Sequence, residues 1–280
     1  MSPLPWFKSD PPKPPSRDIR TQLSSYAQQI PAPALAFAFV FGGISLAVAK
    51  SVHKRYFRRL RNSDYINTDV IARKRWIKGV VTSVGDADNF RFYHTPGFGW
   101  RWPLKFRRVP TLSKELKDET IHIRIAGVDA PEAAHFGRPS QPYSAEALAW
   151  LKGAIEGKKL RCLLLRRDQY ARVVGLVELP PRLLPGWLVH GKSLGLEMLK
   201  AGWATTYQQA GAEYGKHGKG VFLQIEAKAK AARRGMWAAG VTAETPAEYK
   251  KRHAKAEAES TTTLGKTAAT TTKKASKAKH

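Results

Sequence analysis

Apolar and polar residues alternate, or apolar residues form short runs, in five segments in the middle of the chain. Both patterns are typical of β-strands. Three further segments repeat apolar residues at helical spacing and predict α-helices. The order of three strands, one helix, two strands and two helices predicts an α+β fold, a small five-stranded β-barrel with about three α-helices. The predicted strands are 76–84, 90–93, 121–128, 160–165 and 173–179, and the predicted helices are 144–155, 194–201 and 220–234.

A long apolar segment at residues 30–49 lies before this region. It is about as long as a helix that crosses the hydrocarbon core of a bilayer. Pro31 and Pro33 fit the first turn of such a helix, where an amide proton is not needed. A core helix of a soluble domain would carry a polar face, and a cleaved signal peptide would begin nearer the N-terminus. The sequence therefore predicts a single transmembrane helix over 30–49, after a Pro-rich and polar segment over 1–29.

Basic residues follow the apolar segment. Six side chains in 50–61 are Lys or Arg, and none is acidic. Positively charged flanks stay preferentially on the cytosolic or matrix-like side of a membrane. We therefore expect residues 50–75 to form a basic juxtamembrane linker, with the C-terminal domain on that side. The same flank could also anchor the protein to anionic lipid.

The chain of 280 residues has 48 Lys and Arg against 22 Asp and Glu, a formal net charge of +26. Residues 1–61 contribute +8, residues 62–249 contribute +11 and residues 250–280 contribute +7. A positive excess in the central part favours a polyanionic partner such as nucleic acid. The one cysteine, Cys162, excludes an internal disulfide and a cysteine-rich zinc site.

The predicted strands and helices place a globular domain over residues 76–240. A Gly-, Pro- and aromatic-rich stretch at 94–119 interrupts it and is interpreted as a long hairpin insertion. Residues 241–280 are rich in Ala, Lys, Thr and Ser, which is typical of a low-complexity basic tail. Cys162 lies in an apolar run and is expected to be a small buried hydrophobic residue.

Two acidic clusters stand out in a chain that has few acids. Asp86 and Asp88 come directly after the first predicted strand, and Asp129 and Glu132 close the third. Carboxylates at the ends of neighbouring strands can converge on a hard cation, because Ca²⁺ is bound by oxygen ligands and tolerates irregular geometry. Taken alone, the Asp-x-Asp pattern also suits an ordinary turn.

Two arginines change the interpretation of these acids. Arg124 lies within the third strand and, by strand alternation, on the same face as His122, which is interpreted as a strand residue rather than a ligand. Arg172 ends the segment 166–172, directly before the fifth strand. Guanidinium groups that face carboxylates and a cation fit the charge of a phosphodiester transition state. A nearby carboxylate can orient or deprotonate the attacking water.

The three motifs follow one another along the chain: Asp86-Ala87-Asp88, then Arg124 with Val128-Asp129-Ala130-Pro131-Glu132, then Asp168-Gln169-Tyr170-Ala171-Arg172. Together they resemble the staphylococcal nuclease (thermonuclease-like) family over roughly residues 76–238. With its apolar segment and basic tail, the whole chain resembles the fungal membrane-anchored mitochondrial endonucleases of that family. The sequence departs from the family pattern at Ala87 and Ala171, where Gly is common, and at Asn89, where Thr is usual.

The resemblance implies a Ca²⁺-dependent endonuclease on an OB-type barrel. Such an enzyme cleaves DNA or RNA with little base specificity and leaves 3′-phosphate ends. By the same resemblance, Asp88 and Asp129 bind Ca²⁺, and Glu132 activates or positions the attacking water. Arg124 and Arg172 bind the phosphate. The resemblance also implies a mitochondrial location, and the sequence indicates no protein partner.

An alternative interpretation uses the same basic barrel without catalysis. An OB-fold module can bind nucleic acid and, with the apolar segment, tether it to a membrane. Non-catalytic members of enzyme families typically lose the charged residues of the site, whereas this sequence keeps all five. The sequence therefore favours the enzyme over the binding module.

Overall fold

The computed structural model describes residues 31–100, 103–134, 138–181, 191–240, 244–253 and 255. Two compact units make up the chain, residues 1–56 and residues 57–280. The predicted N-terminal segment 1–29 and residues 256–280 of the predicted tail lie outside the described residues.

The described part of the first unit is mainly one α-helix, α1, over Ala32–Val52. Pro31 precedes it and Pro33 lies in its first turn, where the missing amide proton removes no hydrogen bond. Its side chains are exposed, including large ones such as Phe39. At the usual rise of an α-helix, its 21 residues span about 31 Å. The helix is thus long and apolar enough to cross a membrane. A π-helical turn, His53–Phe57, follows it.

The second unit is built on five strands that correspond to the five predicted ones. Antiparallel pairing runs in the order β3-β2-β1-β5-β6, and β7 extends it beside β6. Because β3 also pairs in parallel with β6, the five long strands close into a ring. The strands are β1 (Trp76–Asp86), β2 (Asn89–His94), β3 (Ile121–Ile125), β4 (Val128–Asp129), β5 (Lys159–Arg167), β6 (Val173–Leu179), β7 (Lys192–Ser193) and β8 (Thr205–Thr206).

The predicted strand over 121–128 is divided by a turn. Gly127 lies in this turn with a φ of +78°, in the left-handed region that glycine tolerates. A Cβ at this position would lie 2.7 Å from the ring of Phe222, so a side chain does not fit there. The chain leaves the ring at this point, and β4 pairs with β8 in a separate two-stranded sheet.

Six helices accompany the strands in the described part of the second unit. The bounds of α4 and α5 equal the predicted ones, whereas α6 begins two residues earlier than predicted and ends three residues earlier. The predicted α+β class is confirmed. The helices are α2 (Thr68–Ala72), α3 (Ser113–Leu116), α4 (Ser144–Ile155), α5 (Leu194–Ala201), α6 (Gly218–Ala231) and α7 (residues 246–253), with 3₁₀ turns at Ser63–Tyr65, Gly215–His217 and Gly235–Trp237.

The main core lies inside the ring of strands and beneath α4 and α5. In β3 the residues Ile121, Ile123 and Ile125 are buried, whereas His122 and Arg124 are half-buried on the opposite face. This is the alternation that the sequence predicted, and it places the apolar side chains in the core and the polar ones at the candidate site. Cys162 is fully buried in the same core, as the sequence also predicted.

Segments on both sides of residues 76–240 also belong to this compact unit. Ile66, in the predicted linker, is 2% exposed and lies in the main core. Tyr249, in the predicted low-complexity tail, is 4% exposed and lies on α7. The packed unit of the structure therefore includes part of each flank.

Gly79 in β1 faces a closely packed part of the ring of strands. A Cβ at this position would overlap the carbonyl oxygen of Tyr93 and the ring of Phe92. We expect Gly79→Ala to lower the free energy of unfolding by about 1–3 kcal/mol, because overpacking forces the neighbouring strand and the Phe92 side chain to shift. Urea unfolding of residues 57–280, followed by tryptophan fluorescence, measures this change.

Gly153 in α4 is a matched control, since a Cβ there has nothing within 4 Å. Gly153→Ala should raise the free energy of unfolding by about 0.5–1 kcal/mol through its higher helix propensity. Equal effects of the two substitutions would contradict the packing described for β1.

Candidate functional site

Arg124 lies at the centre of the polar residues outside the ring. Its strand, β3, runs between β2 and β6, with Asn89 on one side and Val174 on the other. One guanidinium nitrogen, Nη2, lies 3.1 Å from Asp88 Oδ2 and 2.9 Å from Asp129 Oδ1. The structure thus brings three of the predicted site residues into direct contact.

Asp88 is held in the two-residue turn between β1 and β2 by a chain of hydrogen bonds. Asn89 Nδ2 donates to Asp88 Oδ1 at 3.1 Å and to Asp86 Oδ2 at 3.3 Å. The Asn89 Oδ1 atom lies 2.8 Å from His122 Nε2. Because an amide oxygen only accepts, the imidazole donates this hydrogen bond. Asn89, which replaces the usual Thr of the resembled family, therefore orients both carboxylates of the turn.

The histidine of this chain of hydrogen bonds is uncharged at neutral pH. Burial, together with the charges of Arg91 and Arg172, lowers the pKa of His122 to about 4. Burial and the charge of Asp88 raise the pKa of Asp86 above its usual value. Ala87, between the two acids, is not among the residues with positive φ, so the turn accepts Ala in place of Gly.

Asp129 ends β4 and is almost completely buried, with its side chain 2% exposed. Its strand is held by β8, where Thr205 Oγ1 donates to the Asp129 carbonyl oxygen at 3.2 Å. Glu226 on α6 in turn accepts a hydrogen bond from Thr206 N at 2.8 Å. Within the described residues, no group donates a hydrogen bond to the buried Oδ2 atom of Asp129. This oxygen is therefore a candidate for a ligand.

Glu132 lies three residues after β4 and reaches Asp129 through a lysine. Lys250 Nζ, on α7, is 2.7 Å from Glu132 Oε1 and 2.7 Å from Asp129 Oδ1. The Glu132 backbone is held by Gln141, whose N donates to the Glu132 carbonyl oxygen at 2.8 Å. Burial disfavours the charge of Lys250, but the two carboxylates outweigh it and raise the pKa of the lysine.

Lys250 is the main site residue that the sequence analysis missed. A sequence signal for its helix exists: Thr245 and Glu248 form a capping box. Glu248 Oε2 accepts from Thr245 N at 2.9 Å, and Thr245 Oγ1 accepts from Glu248 N at 3.3 Å. The pattern Thr-Pro-x-Glu at 245–248 predicts a helix start that the composition of the tail concealed.

Arg172 is not in direct contact with the carboxylates that hold Arg124, and it pairs with Asp168 in the turn between β5 and β6. Asp168 Oδ2 accepts from Arg172 Nε at 2.8 Å. Asp168 Oδ1 accepts from the backbone N of Tyr170 and of Arg172, each at 2.9 Å. Ala171 has a φ of +59°, which accounts for the Gly that is common at this position in the resembled family.

Arg124 and Arg172 line the same cavity, which has a volume of about 380 Å³. Each guanidinium lies over an aromatic ring: Arg124 Cζ is 5.2 Å from the centre of the Tyr207 ring, and Arg172 Cζ is 5.3 Å from that of Tyr170. Such contacts favour a fixed orientation of the planar guanidinium. The structure therefore brings the two arginines to one cavity, whereas Asp88, Asp129 and Glu132 are not among the residues that line it.

Comparison with known proteins finds similar sequences over most of the chain. A family model described as "Staphylococcal nuclease homologue" matches residues 122–239. A protein of Schizophyllum commune named probable endonuclease LCL3 is 62% identical over 86% of this chain and 84% of its own length. Proteins of the same name from Debaryomyces hansenii and Paracoccidioides lutzii are 45% and 44% identical, over 75% and 88% of this chain and 86% and 72% of their own lengths.

The chain belongs to the staphylococcal nuclease homologue family. The resemblance noted in its motifs is thereby confirmed. The part that matches the family model contains Arg124, Asp129, Glu132 and Arg172, whereas Asp88 lies before its first residue. Proteins of this family are generally metal-dependent.

Asp168 is expected to stabilise the turn that carries Arg172. Burial disfavours the Asp168 charge, but hydrogen bonds and the positive charge of Arg172 outweigh it and lower the pKa of the carboxyl. We expect Asp168→Ala to lower the free energy of unfolding by about 1–3 kcal/mol, because it leaves two backbone N–H groups and a guanidinium without their acceptor. Urea unfolding of residues 57–280 at neutral pH measures this loss.

Asp168→Asn is the matched control, since its amide oxygen still accepts the backbone hydrogen bonds. It should lose less than the Ala variant. A carboxyl with a lowered folded-state pKa stabilises the fold above its unfolded pKa, and this stabilisation disappears as the pH falls through the folded value. The gap between wild type and Asp168→Asn should therefore close in acid. A gap that stays constant with pH would contradict the charge pair.

Proposed function

We propose that this protein is a membrane-anchored, Ca²⁺-dependent endonuclease that hydrolyses phosphodiester bonds of DNA or RNA with little base specificity. The observation that carries the proposal is the position of Arg124. Its guanidinium touches Asp88 and Asp129 and also lines the cavity that receives Arg172. Relatives named probable endonucleases over most of the chain support the same activity.

The residues at the site fit a hard divalent cation. Asp88 and Asp129 supply carboxylate oxygens, and the buried Oδ2 of Asp129 has no hydrogen-bond partner among the described residues. No group of three or more His, Cys, Asp or Glu side chains that could hold a metal occurs in the described part of the chain. Two carboxylates with water and phosphate oxygens suit Ca²⁺, which takes six to eight oxygen ligands in irregular geometry.

Arg124 and Arg172 would bind the scissile phosphate from two sides of the cavity. A planar guanidinium matches two phosphate oxygens at once and keeps its charge at any physiological pH. Both groups are oriented before substrate arrives, Arg124 by two carboxylates and Arg172 by Asp168. Preorganised positive charge of this kind stabilises the extra negative charge of the transition state. When bound, Ca²⁺ would add Lewis-acid polarisation of a phosphoryl oxygen.

Glu132 would act on the water. Its side chain is 30% exposed, so solvent can reach the carboxylate, and it lies beside Asp129 through the shared Lys250. In this mechanism the water oxygen attacks phosphorus, Glu132 accepts the proton of the water, and the bond from phosphorus to the 5′ oxygen breaks. The leaving 5′ oxygen takes up a proton from solvent, Glu132 returns its own proton to solvent, and a 3′-phosphate remains.

The anchor in this proposal is α1, with the basic flank 50–61 behind it. The 21-residue helix is exposed and apolar except for its last turn, which contains Lys50, and this suits lipid. The excess of Lys and Arg after the helix supports a matrix or cytosolic position of the second unit. The motif resemblance to mitochondrial endonucleases supports a mitochondrial membrane.

A non-catalytic nucleic-acid-binding module remains the second candidate. The observation that favours it is Lys250, which already neutralises Asp129 and Glu132. Such a module would bind nucleic acid in a salt-dependent manner without turnover when Ca²⁺ is in excess.

Cleavage of single-stranded DNA and RNA by the full chain in detergent tests the activity. We expect Ca²⁺ to support cleavage and a chelator to abolish it, with Mg²⁺ as the comparison metal. Glu132→Gln should lower kcat about 100- to 10,000-fold, because an amide cannot accept the proton of the water. Glu146→Gln, on an exposed position of α4, makes the same chemical change away from the site and should leave kcat unchanged.

Equal values of kcat for Glu132→Gln and wild type would show that Glu132 does not accept the proton of the water. Salt-sensitive binding of nucleic acid without any product, at saturating Ca²⁺, would favour the binding module instead.

Alkaline carbonate extraction of membranes from cells that express the full chain tests the anchor. The wild-type chain should stay in the membrane pellet. The double variant Val40→Asp and Ile44→Asp should be released, since each charge near the centre of a spanning helix costs about 2.5–3.5 kcal/mol. Val40→Leu and Ile44→Leu keep the segment apolar and should remain in the pellet. Release of the wild type by carbonate would disprove the anchor.

A further inference from the structure

The C-terminal helix α7 is docked at the candidate site by specific contacts. Gln141 Nε2 donates to the carbonyl oxygen of Glu244 at 2.6 Å, directly before the helix. The hydroxyl of Tyr249 donates to the carbonyl oxygen of Pro139. Gln141 also binds the backbone of Glu132. The segment 139–141 therefore holds both α7 and the backbone of Glu132, one of the site carboxylates.

One of three consecutive basic residues on this helix enters the site. Lys250 bridges Asp129 and Glu132 with two contacts of 2.7 Å. Lys251 is exposed, and Arg252 pairs with Glu244 at 2.7 and 2.9 Å. The position of Lys250 is therefore not a general effect of positive charge on the helix.

The ammonium group of Lys250 contacts the carboxylates that the proposed function uses. Asp129 Oδ1 accepts hydrogen bonds from both Arg124 and Lys250. Its other oxygen, Oδ2, has no donor among the described residues. A divalent cation on Asp129 would therefore share one buried carboxylate with the ammonium. Like charges repel strongly over such short distances where water is excluded. Binding of either cation must weaken the binding of the other.

We infer that Lys250 is a tethered competitor of the divalent cation: it occupies Asp129 and Glu132 in the metal-free protein, and the cation displaces it, which removes one of the contacts that hold α7. This inference rests on the metal site of the proposed function. In the metal-free state the lysine keeps two adjacent carboxylates from repelling each other. When the cation binds, Glu132 is freed from its ion pair, and the side of the site next to α7 becomes accessible.

Isothermal titration calorimetry of Ca²⁺ into the full chain in detergent tests the competition without any measurement of cleavage. Lys250→Met keeps the length of the side chain and removes its charge. Its Kd for Ca²⁺ should fall about tenfold or more below that of the wild type, within the range of ordinary coupling between two sites. Lys251→Met removes the same charge from the neighbouring exposed position and should bind Ca²⁺ like the wild type.

Hydrogen exchange of the wild-type chain gives a second readout that needs no variant. The amides of residues 246–253 should exchange faster in saturating Ca²⁺ than in K⁺ at equal ionic strength, because the helix loses the ion pairs of Lys250 with Asp129 and Glu132. This measurement decides the question even if Lys250→Met does not fold.

Two results would overturn the inference: Ca²⁺ affinity that is unchanged, weaker or absent in a folded Lys250→Met, or protection of 246–253 that Ca²⁺ does not alter. Neither result bears on cleavage. If the chain cleaves DNA but Ca²⁺ and Lys250 do not compete, the proposed nuclease activity stands and the role of Lys250 is disproved. If they compete but no cleavage occurs, the role of Lys250 stands and the nuclease activity is disproved.

Discussion

Two buried carboxylates share one nitrogen of the Arg124 guanidinium, and the rest of the site depends on this arrangement. A buried carboxylate is stable only if it is paired or hydrogen-bonded, so loss of the arginine would leave two negative charges facing each other. Arg124 is held in turn because β3 pairs with strands on both sides and closes the ring. Closure of the five strands thus fixes the position of the charge on which Asp88 and Asp129 depend.

The parts of the site differ in how firmly the fold holds them. Asp88 is fixed by Asn89 on a ring strand, and Asp129 by the pairing of β4 with β8 and by Glu226 on α6. Glu132 lies outside these elements, and Gln141 and Lys250 hold it from the periphery. The groups assigned to phosphate and metal therefore lie on strands or in the short turns that join them, whereas the group assigned to water depends on a docked C-terminal helix. An element of lower local stability can open while the rest of the fold stays intact, which allows part of a site to move.

Much of the ring could be predicted, because its strands alternate apolar and polar residues and its motifs have characteristic spacing. The side of β3 that carries Arg124 followed from that alternation. Lys250 could not be found in this way, because its contacts with Asp129 and Glu132 join residues more than 100 positions apart in a segment of biased composition. The division of the strand at Gly127 was also missed, although a glycine can mark a turn through its positive φ. Apolar periodicity reports local structure, and the contacts of Lys250 are not local.

The sign of charge at the site differs from that of the chain as a whole. A net charge of +26 attracts nucleic acid from a distance. The cluster around Arg124, however, has three carboxylates, from Asp88, Asp129 and Glu132, in contact with the two cations Arg124 and Lys250. Arg172 lies outside this cluster and is paired with Asp168. A phosphate bound to Arg124 lies next to this excess of negative charge, so a further cation at the carboxylates would favour its binding. An ammonium on a tethered helix relieves part of this excess but blocks Glu132, whereas a divalent ion can relieve it and still leave that carboxylate free. The local charge balance therefore gives a physical reason for both a metal requirement and a lysine that yields to the metal.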